Sequence, residues 1–123
     1  MQQPGKFQQR DLRAELMLER RRLAAKLRAS RAILNLSQTE LAGMLELTQR
    51  SIYRLEQAQV EPKRMTLRTL ELFWYSLGIR FEDLPDGGFT ISVAAAILPD
   101  EVNAHSIQPQ IERFPAFPAR VPT

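Results

Sequence analysis

Apolar positions in the first third of the chain recur at helical spacing. Leu12, Leu16, Leu23, Leu27 and Leu34 stand four and seven residues apart, near one face of a helix. No Gly or Pro interrupts residues 10–34, which read as one long helix. Asp11 and Glu15 near its start, and Arg28 and Arg31 near its end, suit the helix dipole. Asn35 follows the last turn, a residue type that tolerates the left-handed conformation in which many helices end. Ser37-Gln38-Thr39-Glu40 has the spacing of a capping box. It predicts a short helix over about 38–45 that buries Leu41 and Leu45, with Ala42 small enough to let a neighbouring helix come close. Thr48 then caps a third helix over about 49–57, with Ile52 and Leu55 inward. By the 3.6-residue period, Gln49, Arg50, Tyr53, Arg54 and Gln57 share its other side.

Residues 58–65 form a connection containing Pro62. A fourth helix runs from about Thr66 to Leu77, its stripe being Leu67, Leu70, Phe73, Trp74 and Leu77, and Gly78 stops it. Ile79, Phe81 and Leu84 read as a short final turn packing under the bundle. Composition changes at Pro85-Asp86-Gly87-Gly88, a turn or hinge. Phe89–Val93 alternates apolar and polar, the period of a half-buried strand. Ala94–Leu98 either extends that strand or makes a helical turn. Ile107, Pro109 and Ile111 alternate with Gln108 and Gln110 in a weaker extended segment. Five of the eight prolines lie in 99–123, and the last ten residues read as disordered or PPII-like.

Composition narrows the chemistry. A chain of 123 residues is one domain with room for an appendage. It has no cysteine, which excludes disulfides and thiol chemistry, and one histidine, His105, which excludes a His-rich metal site. No apolar run approaches the ~20 residues that span a bilayer. The N-terminus lacks the apolar core of a secretory signal. The expectation is a soluble protein of the cytoplasm, without membrane contact.

The net charge of +3 is small, but its distribution is uneven. Residues 1–35 hold nine Lys/Arg against three acids; residues 36–80 hold six against five; residues 81–123 hold two against six. Fourteen of the seventeen cations are Arg, which suits bidentate phosphate and guanine contacts better than Lys. A basic front with an acidic back fits an anionic partner such as nucleic acid. Arg-rich helices that merely stay soluble would give the same composition.

The two short, hydroxyl-capped helices are joined by a tight link, Glu46-Leu47, and the second presents Gln, Arg, Tyr and Arg on one face. A helix so placed can enter the DNA major groove. With Leu36-Ser37-Gln38-Thr39-Glu40-Leu41-Ala42, then Leu47-Thr48-Gln49-Arg50-Ser51-Ile52-Tyr53-Arg54-Leu55-Glu56, and Pro62 six residues on, the sequence resembles the lambda-repressor-like (XRE) helix-turn-helix family over about residues 23–84. The fold class implied is all-α. It is a four-to-five-helix domain with an N-terminal helical extension and a short β or irregular C-terminal extension. The divisions are a basic extension over 1–22, the helix-turn-helix domain over 23–84, a dimerisation segment with a short strand over 85–112, and a disordered tail over 113–123.

The resemblance implies roles residue by residue. Gln38 matches the family's phosphate-contacting Gln at a helix N-terminus, where anions are favoured. Gln49 matches the first base-reading residue, and an amide can pair with adenine. Arg50 and Arg54 occupy two further reading positions and suit guanine. Tyr53 is placed to touch the backbone or a thymine methyl. Ser51, Lys63 and Arg64 are phosphate candidates. Arg31 and Glu56 match a pair that bridges the first helix to the end of the recognition helix, and a structural role is favoured for it. Arg20-Arg21-Arg22 either grips phosphate or solvates the outer face of its helix. The sequence departs from the family at Glu46 and Ala58, where Gly is common, and between Pro62 and Gly78, where it is about three residues longer.

The function implied is a sequence-specific regulator of transcription that binds double-stranded DNA. It would be a repressor acting as a homodimer on an inverted repeat, built through Leu12 and Leu16 or, preferably, through 89–98 paired across the two-fold axis. The alternative is an antitoxin-type autoregulator whose C-terminal segment binds a partner toxin. No cofactor, metal or enzymatic activity is expected. Ser37, Ser51 and Glu56 make no hydrolase triad without a histidine in the domain.

Overall fold

A computed structural model of the chain describes residues 6–98, with side chains from residue 11. The extended segment around Ile107–Ile111, His105 and the tail over 113–123 lie outside the described residues. The elements are α1 (Lys6–Leu34), α2 (Gln38–Leu45), α3 (Gln49–Glu56), α4 (Arg64–Leu77), β1 (Ile79–Asp83), β2 (Phe89–Val93) and a 3-10 turn, Ala95–Ile97. The described chain is thus mostly helical with a small antiparallel sheet, not all-α. No helix among the described residues is long and apolar enough to cross a membrane.

α1 is one helix of 29 residues, about 43 Å long at 1.5 Å per residue. It starts four residues before the expected point and crosses the boundary drawn at residue 22. Its rear half meets the core, where Leu23, Ala24, Leu27, Ser30 and Leu34 are buried. From residue 11 its front half is largely exposed, with Leu12 62% exposed and Leu16 and Met17 half-exposed, although Leu18 lies against Gly87. The core closes over α1 with Leu36, Leu41, Ala42, Leu45, Ile52, Leu55, Leu70, Phe73, Trp74 and Leu77. Full burial of each such large side chain contributes about 1.5–3 kcal/mol. Trp74 is fixed in rotation because its Nε1–H donates to Ser30 Oγ at 2.9 Å, and Ser30 Oγ donates to the Leu27 carbonyl at 3.0 Å.

Three non-glycine residues take the left-handed conformation at helix ends or connections: Asn35 (φ 55°), Glu46 (φ 57°) and Ala58 (φ 56°). Each stops a helix while the chain turns sharply. At Glu46 and Ala58 the backbone keeps the shape that Gly would adopt freely, and the side chain makes it costly.

The segment after α4 corrects the sequence reading. Ile79–Asp83 is a strand, not a final turn, and pairs antiparallel with Phe89–Val93, Phe81 opposite Ile91. The proposed boundary at Pro85 is the tip of this hairpin. Gly87 N–H donates to the Leu84 carbonyl at 3.0 Å, and Leu84 N–H donates to the Gly88 carbonyl at 2.8 Å. Ile79, Phe81, Ile91 and Val93 pack on the core side, while Arg80, Glu82, Thr90 and Ser92 are exposed. Phe81 meets Trp74 edge-on at 4.7 Å and Phe89 at 5.7 Å. α1 clamps the hairpin: Lys26 Nζ lies 2.8 Å from Asp83, Arg22 Nε lies 3.5 Å from it, and Arg22 Nη1 donates to the Gly87 carbonyl at 3.2 Å. The Ala94–Leu98 ambiguity resolves as a 3-10 turn that buries Ile97.

Two stability effects are expected. Glu46→Gly should stabilise the protein by about 0.5–1 kcal/mol, because relief of the left-handed strain exceeds the added chain entropy. Urea unfolding measures this, and an unchanged or lower midpoint would refute it. The hydrogen bond from Lys26 holds the Asp83 carboxyl below its ordinary value; partial burial opposes this, and the charges of Lys26 and Arg22 add to it. A depressed carboxyl stabilises fully above its unfolded value near 3.9, and that contribution vanishes as pH falls through the folded value. Asp83→Asn should therefore cost only a few tenths of a kcal/mol at pH 7, since the carboxyl is half-exposed, and less and less as acid protonates the carboxyl. A gap between variant and parent that does not shrink on acidification would contradict the clamp.

Candidate nucleic-acid interface

The site begins with two caps. Ser37 Oγ accepts from Glu40 N–H at 3.0 Å, and Glu40 Oε1 accepts from Ser37 N–H at 2.9 Å, so the start of α2 is closed reciprocally. Thr48 Oγ1 accepts from Ser51 N–H at 3.0 Å and starts α3. Between them Glu46 turns the chain. Its N–H donates to the Gly43 carbonyl at 3.4 Å and that of Leu47 to the Ala42 carbonyl at 2.9 Å. α3 then divides cleanly: Ile52, Leu55 and Glu56 are buried, whereas Gln49, Arg50, Tyr53 and Arg54 are exposed.

Glu56 is the unusual member, a carboxylate only 2% exposed. Burying a charge is costly unless it is paired and hydrogen-bonded. Arg31 supplies the pair: its Nε donates to Oε2 at 2.7 Å and its Nη2 to Oε1 at 2.9 Å, while its Nη1 donates to the Leu36 carbonyl at 2.9 Å. Those hydrogen bonds to Glu56 hold the Arg31 guanidinium above its ordinary value; partial burial lowers it, and the carboxylate charge adds to the rise. Arg28 Nη1 donates to the backbone carbonyl of Glu56 at 2.6 Å, satisfying an end-of-helix acceptor. Thus α1 grips the C-terminal end of α3 with two guanidinium groups.

The same carboxylate sets the direction of an amide relay. Gln38 Nε2 donates to Glu56 Oε1 at 3.0 Å, and Gln49 Nε2 donates to Gln38 Oε1 at 2.7 Å. A carboxylate only accepts, so Gln38 must turn its NH2 inward and its oxygen toward Gln49. Gln49 must then answer with its own NH2. Its oxygen and one N–H remain outside this bond, and so does one N–H of Gln38.

The remaining candidates fall into three groups. The side chains of Arg50, Tyr53 and Arg54 make no hydrogen bond or ion pair with the described residues, and no unpaired acid shares their face of α3. Ser51 Oγ lies 2.8 Å from Thr48 Oγ1, so its hydroxyl is already engaged near the helix start. Lys63 and Arg64 are exposed at the start of α4 and bond to none of the other candidates. α4 begins at Arg64, two residues earlier than its apolar stripe predicts, with Lys63 as N-cap. The sequence reads Arg28 only as a cation suited to the dipole of α1, not as a partner of α3. Its signal is its place one turn before Arg31 on the same helix.

Compared with models of protein families, with curated proteins and with solved structures, the chain matches none.

Glu56→Ala should destabilise the protein by about 3 kcal/mol, the lower end for breaking a buried pair, because Arg31 retains 24% exposure and can reach water. Chemical denaturation measures this. A loss below about 1 kcal/mol would show that the carboxylate does not hold α1, α2 and α3 together.

Proposed function

We propose that this chain is a sequence-specific regulator of transcription of the lambda-repressor-like helix-turn-helix kind, with α3 as its recognition helix in the major groove of duplex DNA. One observation carries the reading. α3 has a fully polar outer face of Gln49, Arg50, Tyr53 and Arg54, left uncovered by the described residues, on a helix whose opposite face is locked by a buried carboxylate. A solvated helix has no need of such a lock; a probe that must hold its register does.

The roles follow from donor and acceptor chemistry. Gln49 keeps one acceptor and one donor outward, the complement of adenine N6–H and N7. Arg50 and Arg54, one turn apart, offer forked donors to guanine O6 and N7. Gln38, Ser51, Lys63 and Arg64 fix register on the phosphates, which carry no sequence information. Tyr53 reaches a thymine methyl or the backbone. A single module of this size binds too weakly for useful specificity at physiological salt. The reading therefore includes a homodimer on an inverted repeat, with a recognition helix in each of two major grooves. Repression follows if the operator overlaps a promoter.

Selection of bound fragments from random duplex DNA tests this, at a stated salt concentration. A two-fold symmetric site rich in A and G at the contacted positions is expected. Arg50→Ala or Arg54→Ala should then cost about 1–3 kcal/mol on that site and relax preference at one base position. An equal penalty on every sequence would make the residue a phosphate contact. Failure to enrich any sequence would overturn the reading.

A further inference from the structure

We propose that the outer edge of β2 is an interface for a second copy of this chain, whose own β2 adds antiparallel across a two-fold axis at Ile91. The argument starts from hydrogen-bond parity in the hairpin. Leu84 N–H donates to the Gly88 carbonyl, and Ala94 N–H donates to the Gly78 carbonyl at 3.0 Å. In an antiparallel pair, bonded and non-bonded positions alternate. With Arg80 opposite Ser92 and Glu82 opposite Thr90, the even-numbered residues of β2 are those bonded to β1. The N–H and C=O groups of Phe89, Ile91 and Val93 therefore point to the other side, where no described element pairs with them.

This edge lacks the features that keep free edges apart. Natural edge strands are blunted by charge, proline or a bulge. β1 carries Arg80, Glu82 and Asp83 and has α4 packed beside it. β2 is Phe-Thr-Ile-Ser-Val, with no charge, no proline and unbroken register. Its core-side residues Phe89, Ile91 and Val93 all remain half-buried, and no described strand lies beyond them.

The edge is also complementary to itself. A two-fold axis at Ile91 sets Phe89 opposite Val93 of the partner subunit, and Ile91 opposite the partner's Ile91. Every outward N–H then meets an outward C=O. The half-buried apolar side chains of the two copies meet on one face of a four-stranded sheet. On the exposed face, Thr90 falls directly opposite the partner's Ser92, a small neutral pair at the closest side-chain approach of an antiparallel ladder. No other occupant is matched at each position by the strand's own sequence. The interface supplies the homodimer called for above and rests on that reading only for its use on DNA.

Sedimentation equilibrium of the full chain without DNA tests it, so this inference and the DNA-binding reading fail separately. The wild type is expected to be a dimer at micromolar concentration. Ile91→Pro removes an outward N–H while sparing the hairpin's own bonds, and should give a monomer. Thr90→Lys with Ser92→Lys sets like charges opposite across the axis and should weaken the dimer about tenfold or more. Thr90→Lys with Ser92→Glu sets opposite charges there and should restore it, which separates a lost interface from a lost fold. In the wild type, the amides of Phe89, Ile91 and Val93 should exchange with solvent more slowly as concentration rises, while those of Thr90 and Ser92 stay protected throughout. A monomeric wild type, or a dimer indifferent to both Ile91→Pro and the lysine pair, overturns the proposal. So does a dimer dissolved by Leu12→Glu with Leu16→Glu but unaffected by the strand variants.

Discussion

The described structure turns on one buried carboxylate. Glu56 sits at the last turn of α3 and is charged where charge is costly. Arg31, Arg28 and Gln38 offset that cost by filling its acceptor sites and its backbone carbonyl. These partners come from α1 and from the first residue of α2. One group therefore ties three helices together, in addition to their apolar packing. Leu41, Ile52 and Leu55 supply much of the affinity between the elements, while Glu56 supplies the register. A well-packed apolar replacement can be as stable as a buried ion pair. Retaining the charge is thus best understood through what it orients.

What it orients is the outer amide chain. The sequence Glu56, Gln38, Gln49 carries a direction from acceptor to donor outward to the surface. The last side chain of the relay, Gln49, already has a bonded partner before any ligand arrives. Preorganisation of this kind lowers the entropy lost on binding. Arg50 and Arg54 lie beyond the relay and keep their rotamer freedom. The proposed interface thus combines a fixed amide with two adaptable guanidinium groups on one helix.

Much of this was legible in the sequence, because the signals were local. The capping box at Ser37–Glu40 and the cap at Thr48 act within four residues and place α2 and α3. Asn35 marks the end of α1. The leucine spacing gives the core face of α1 but not how much of it finds a partner, since that depends on where the bundle ends. β1 was misread, although Ile79-Arg80-Phe81-Glu82-Asp83 alternates like a strand. Gly78 reads as the end of α4, Pro85-Asp86-Gly87-Gly88 as a turn or hinge closing the domain, and pairing with β2 is a tertiary event. The pairing of Arg31 with Glu56 follows from charge and position. The bond between Gln38 and Gln49 does not, because it needs the distance across the α2–α3 turn. Arg28 was hidden by the many other arginines of α1.

The central claim is that the outer face of α3, held by Glu56, is the surface that meets DNA. Amide chemical-shift mapping with a short duplex of arbitrary sequence at low salt tests it most directly, since phosphate attraction then suffices for binding. The account predicts shifts concentrated at Gln38, at residues 49–54 and at Lys63–Arg64, with the hairpin over 79–93 unmoved and the shifts reversed by added salt. Shifts confined to the front half of α1 or to the hairpin, or no shifts at any duplex concentration, would contradict it.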